Sequence, residues 1–159
     1  MDKKSIGLVI LVIVVAAATW WFNQDDNDQS NHYYVFNLDG ESENWDLNQY
    51  KVEFVPTSHT AGGGTLHFNG ERGPIVDSLN FQTYALVDGV EVTLQSESIH
   101  EPLDASTVNI GFVDNNVFKP NGDPVMFQDI EKIHAEIEWP GASGEYQTEE
   151  IVLYELRKK

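Results

Sequence analysis

The stretch 78-SLNFQTYALVDGVEVTLQSESI-99 decides the fold. Its two halves, 78–87 and 90–99, are rich in β-branched and aromatic residues and flank Asp88-Gly89. Two residues of this type between such runs are the strongest short-range signal for a β-hairpin. Working outward, residues 133–139 alternate most cleanly. Ile133, Ala135, Ile137 and Trp139 are expected inward, with His134, Glu136 and Glu138 outward, and Pro140-Gly141 ends the run. Residues 49–55 place Tyr50, Val52 and Phe54 on one face and Lys51 and Glu53 on the other, until Pro56 stops them. Tyr34, Phe36 and Leu38 share a face in an earlier run, which Asp39-Gly40 is expected to end.

The remaining runs are shorter. Residues 57–64 read as a loop closing in three glycines, and 65–69 as a strand presenting Leu66 and Phe68. Residues 107–113 place Val108, Ile110 and Phe112 on one face. Residues 151–156 are apolar on both faces apart from Glu155, as in a strand covered on both sides. Residues 115–132 admit two readings: a short helix started by Asp123-Pro124, with Met126, Ile130 and Ile133 at helical spacing, or an irregular loop. About eight short strands with regular turn signals predict a mainly β domain, an antiparallel β-sandwich of immunoglobulin-like size.

A different pattern precedes this domain. Residues 6–22 form an apolar run of 17 residues, behind Lys3 and Lys4 and ahead of Asp25, Asp26 and Asp28. A bilayer's hydrocarbon core takes roughly 17–25 residues of helix. Lysines at the N-terminal flank favour a cytoplasmic N-terminus, and Trp20, Trp21 and Phe22 sit where an interfacial aromatic belt belongs. The expected order is a cytoplasmic N-terminus (1–5), a single transmembrane signal anchor (6–22), a polar linker (23–31) and an extracytoplasmic domain (32–159). The domain then stands on the outer face of the cell membrane. The alternative is a signal peptide cleaved after Ala18, giving a secreted chain. Both readings export the domain. The chain has no cysteine, so neither a lipid-modified cysteine nor a disulfide is available to it.

Charge restricts the partners. Without Asp2, Lys3 and Lys4 the chain keeps 25 acidic and 7 basic residues, a net of −18. Phosphate recognition needs clustered Lys and Arg, so no nucleic acid partner is expected. Anionic lipid is an equally poor docking surface for the domain. Such acidity suits a saline or alkaline habitat, or a surface meant for cations or basic partners.

Candidate sites are few. Glu41, Glu43, Asn44 and Trp45 lie between the first two strands, and carboxylates and an amide around an indole can bind a sugar or a cation. The structural alternative is a connecting turn, with Trp45 packed on the domain edge and Ser42 and Asn44 satisfying local backbone groups. His32, His59, His67, His100 and His134 fall in no short zinc-ligand spacing, and His67 and His134 are expected on outward faces. Asp114-Asn115-Asn116 and Asn121-Gly122-Asp123 are oxygen-rich enough for calcium and are also ordinary turn residues. No metal or other cofactor is assigned. There is no Gly-x-Ser-x-Gly elbow, cysteine nucleophile or phosphate loop, so no catalytic residue is assigned and the chain is not expected to be an enzyme.

The GESENW stretch at 40–45, the alternating strand after it, and the I-x-W-x-G pattern at 137–141 leading to 150–153 carry a resemblance. The chain resembles small, exported, uncharacterised proteins of bacilli and their relatives, typically membrane-anchored or lipoproteins. This group has no established activity, so the resemblance implies fold and location alone. The functional expectation is an interaction module of the bacterial cell envelope. The alternative is a carbohydrate or wall-polymer binder using Trp45 and Tyr50, with a secreted hydrolase as the third reading.

Overall fold

The Asp88-Gly89 hairpin forms as expected in the computed structural model, which describes residues 33–55, 58–70, 75–100, 102–141 and 143–156. Asp88 and Gly89 have φ of 52° and 75°. Two left-handed central residues are what a type I′ turn needs, and its twist matches that of the flanking strands. The chain divides into Met1–His32 and Tyr33–Lys159. The first unit, including the expected anchor, lies outside the described residues. Among the described residues no helix is long and apolar enough to cross a membrane.

In chain order the strands are β1 (Tyr34–Glu41), β2 (Trp45–Val55), β3 (Ser58–Gly62), β4 (Thr65–Phe68), β5 (Ile75–Val76) and β6 (Leu79–Val87). They continue as β7 (Val90–Ile99), β8 (Leu103–Asp104), β9 (Val108–Asn109), β10 (Phe112–Asn115), β11 (Ile130–Pro140) and β12 (Tyr146–Glu155). Every pairing is antiparallel. One large sheet has the order β12-β11-β6-β7. The other has the order β10-β3-β2-β4-β9, with β1 also paired to β2, and β5 pairs with β8 in a small separate ladder.

The second large sheet has fewer chain passes than strands. β3 and β4 follow one another along β2, and β9 and β10 follow one another along them. Both passes break at the same level, where Gly62-Gly63-Gly64 stands beside Ile110-Gly111 and beside Gln49-Tyr50 of β2. Gln49 is left-handed there (φ 56°), and its N–H donates to Asp39 Oδ1 at 2.7 Å. The bulge resets the side-chain phase of β2. Trp45 and Leu47 point inward before it, and Tyr50, Val52 and Phe54 after it, all at most 1 % exposed.

The two large sheets share one core. Tyr50 meets Phe81 edge to face at 6.0 Å, and Trp45 meets Trp139 in the same way at 5.4 Å. Tyr50 also carries a polar link across the layers. Its hydroxyl donates to Gln95 Oε1 at 2.9 Å and lies 2.7 Å from Thr83 Oγ1. Burial pushes the Tyr50 phenol far above its ordinary range, against a smaller downward pull from the Thr83 bond. The layers also meet closely at one side. A Cβ on Gly40 would lie 2.9 Å from the Val152 carbonyl oxygen, so β1 and β12 can approach there only over glycine.

Several expectations change. Asp39-Gly40 does not end β1, which passes the β2 bulge between Leu38 and Gly40 and runs to Glu41. Residues 58–62 form β3 instead of an open loop. Phe112 parts from Val108 and Ile110 at the Ile110-Gly111 break and is 63 % exposed. Val152 and Leu156 are exposed, because β12 ends its sheet and no described residue covers its outer face. Between 115 and 132 the only helical element described is the 3-10 turn Phe127–Asp129, closed by Met126 N–H donating to Asp129 Oδ2 at 2.9 Å. The size is that of an immunoglobulin domain, but the strand order is different.

Candidate functional site

Glu41, Glu43, Asn44 and Trp45 form a structural turn, and the fold sends them in different directions. Ser42 N–H donates to the Trp45 carbonyl at 2.8 Å, closing the turn between β1 and β2. Glu41 and Glu43 are exposed. Asn44 is bound down at both ends: its backbone N–H donates to Glu149 Oε2 at 3.0 Å and its side-chain amide to Glu149 Oε1. Its carbonyl accepts from Asn69 N–H at 2.8 Å. Burial is the largest single influence on Glu149 and raises its pKa. The bonds from Ser42 and Asn44 together outweigh it and hold the carboxyl below its ordinary range.

Trp45 opens β2 and is fully buried, edge-on to Phe68 at 4.9 Å and to Trp139. Its indole N–H has no hydrogen-bond partner among the described residues. Tyr50 is equally buried. Neither ring is open to a sugar, so the two aromatics that carried the carbohydrate reading do not form a platform. Glu149, the residue that fastens the turn, has no signal of its own in the sequence. It is one of several glutamates near the C-terminus, and only the approach of β12 to the β1–β2 turn gives it a role.

The histidines separate as well. His59, expected in a loop, is buried on β3. Its Nδ1 accepts from Val117 N–H at 3.1 Å, and its Nε2 lies 2.9 Å from the Val125 carbonyl, to which it then donates. This neutral imidazole fastens the irregular 115–129 segment to the sheet. His67 Nδ1 donates to the Ser106 carbonyl at 2.6 Å, His100 is exposed, and His32 lies outside the described residues. Asp114 accepts from the Thr60 hydroxyl, while Asn121 and Asp123 bond each other within one turn. Among the described residues no three His, Asp or Glu are grouped to hold a metal ion.

His134 departs from expectation in an instructive way. The alternation of β11 does turn it to the outer face of the β12-β11-β6-β7 sheet, yet it is only 1 % exposed. Tyr84, directly opposite on β6, stacks its ring against the imidazole at 5.4 Å. Neither ring nitrogen has a hydrogen-bond partner among the described residues. Nε2 lies 3.4 Å from Glu91 Oε1 and 4.0 Å from Glu150 Oε2. Burial, then the charges of Glu136 and Glu91, raise the pKa of Tyr84.

Around His134 this outer face is acidic. Glu136 and Glu138 follow it along β11, with Glu150 opposite Glu136 on β12. Lys132 donates to Glu150 Oε1 at 2.5 Å, and Asn80 donates to Glu138 Oε2 at 2.9 Å. Gln82, Glu136, Glu138 and Thr148 line an open depression of about 220 Å³. The other large sheet turns a mixed face outward. Glu53 pairs with Lys51, Asp114 accepts from Thr60, and Asp46 stands opposite His67. No family model, curated protein or solved structure matches this chain.

Proposed function

We propose that this chain is a single-pass membrane protein of the bacterial cell envelope, its N-terminus cytoplasmic and its β-sandwich displayed on the outer face as an interaction module. The reading is of a binding protein, not an enzyme, and its partner is another envelope protein. Residues 6–22 support the anchor by length, apolarity and the lysines before them. The observation that carries the interaction is Phe112. It is 63 % exposed on β10, the terminal strand of its sheet, and its ring lies across Gly63. A terminal strand offers unpaired backbone groups, and a neighbouring aromatic gives an added strand an apolar anchor.

The test uses the full chain in native membranes, with a photocross-linking amino acid at position 112 and, for comparison, at exposed Asn37. A discrete protein adduct from position 112, absent from position 37 and lost when the partner is depleted, is the expected result. Equal smears from both positions would remove the edge as a docking site. Mass spectrometry of the same material reads the N-terminus. A chain beginning at Thr19 in the medium would replace the anchor with a cleaved signal peptide.

A further inference from the structure

We infer that the outer face of the β12-β11-β6-β7 sheet is a docking surface for a lysine- or arginine-rich polypeptide segment. This rests on the interaction-module reading and assigns the partner's chemistry at a surface separate from the β10 edge. Among the described residues the carboxylates of Glu91, Glu136, Glu138 and Glu150 share the face with the Lys132 ammonium, which is already paired to Glu150. Glu136 and Glu150 stand directly opposite on neighbouring strands. Like charges so placed destabilise a sheet, and among the described residues the one nearby cation, Lys132, pairs with Glu150 and leaves Glu136 without one. A further cationic side chain laid beside Glu136 offsets that cost.

His134 points the same way. It is buried in the floor of this face, both ring nitrogens lack a hydrogen-bond partner among the described residues, and Nε2 is turned toward Glu91 and Glu150. A buried imidazole left without a hydrogen-bond partner is costly, and the groups nearest its Nε2 are the Glu91 and Glu150 carboxylates, which are themselves open to an incoming cation. The depression of about 220 Å³ beside Gln82 and Thr148 has the carboxylates of Glu136 and Glu138 on its wall. On the opposite face Glu53 pairs with Lys51 and Asp114 accepts from Thr60, whereas on this face Glu136 has no cationic or hydrogen-bonding partner among the described residues and stands opposite Glu150.

The probe is a fluorescein-labelled decalysine peptide, titrated against the full chain in neutral detergent and followed by anisotropy. A decaglutamate peptide is the control. Glu136→Gln/Glu138→Gln keeps shape and the Asn80 hydrogen bond while removing two charges. Glu41→Gln/Glu43→Gln removes the same number from the exposed turn. The expected result is about tenfold weaker decalysine binding for the first variant and less than twofold for the second. Equal weakening in both overturns the inference in favour of general acidity, and so does an absence of binding by the unaltered chain. Circular dichroism confirms that both variants fold. If decalysine binds this face while cross-linking from position 112 yields no partner, the acidic surface stands and the edge reading falls. A partner captured at position 112 without decalysine binding reverses that outcome.

Discussion

The two large sheets reach the same core by different means. In the β12-β11-β6-β7 sheet the strands run 9 to 11 residues, and each pairing slips by a single residue. Alternation carries most of the work there: Leu79, Phe81, Thr83, Ala85 and Val87 all face inward without a break in β6. The opposite sheet is built from shorter pieces around one long strand. β2 cannot bury Trp45, Leu47, Tyr50, Val52 and Phe54 in a single phase, and the bulge at Gln49 is what permits both halves. The regular sheet depends on its side chains and the broken one on its backbone. Their stability should therefore respond to different substitutions.

The largest effect is expected in the regular sheet. Trp139→Ala removes a 3 %-exposed indole that touches Trp45 and Phe68 from across the core. Denaturant unfolding should lose roughly 3–5 kcal/mol, and a loss below about 1 kcal/mol would mean that Trp139 is not a core anchor. In the broken sheet the corresponding test is backbone: Gly62→Ala. Gly62 has φ of 129°, and a Cβ there would collide with the Gly111 carbonyl, so the expected loss is roughly 2–3 kcal/mol. Alanine tolerated at both Trp139 and Gly62 would erase the distinction between the sheets.

The smallest effect lies where the two sheets are tied, at Asn44 and Glu149. Because the folded-state pKa of Glu149 is depressed, its contribution is present above the ordinary carboxylate value and is lost as pH falls through the folded value. Glu149 is partly exposed, so Glu149→Gln should cost only about 0.5 kcal/mol near neutral pH. The difference from the unaltered chain should vanish below the carboxylate range. A difference that grows on acidification would mean that the carboxylate is not the tie.

What was legible in the chain follows the same division. The Asp88-Gly89 hairpin, the inward face of β11 and the inward set Tyr50, Val52 and Phe54 read correctly, because side-chain period and turn chemistry are local. β3 did not, because Ser58, His59 and Thr60 give no apolar alternation. His59 is buried there by hydrogen bonds to Val117 and Val125, far along the chain. His134 was read to the correct face and the wrong environment, since the cover comes from Tyr84 on a neighbouring strand. Of the candidate loop, the turn itself was legible. That Trp45 would be sealed under Phe68 and Trp139 was not.

By itself the sequence determined the class of the domain, antiparallel β with alternating faces, together with its strongly acidic charge balance. Both follow from composition and from the period of two, which hold wherever the strands lie. The tertiary structure alone decided which carboxylates have partners. Glu136 and Glu150 both face away from the core and stand opposite one another on β11 and β12, yet it is Glu150 that meets Lys132 of the neighbouring strand. An ion pair depends on which strands become neighbours and in what register, and that is set by the whole fold.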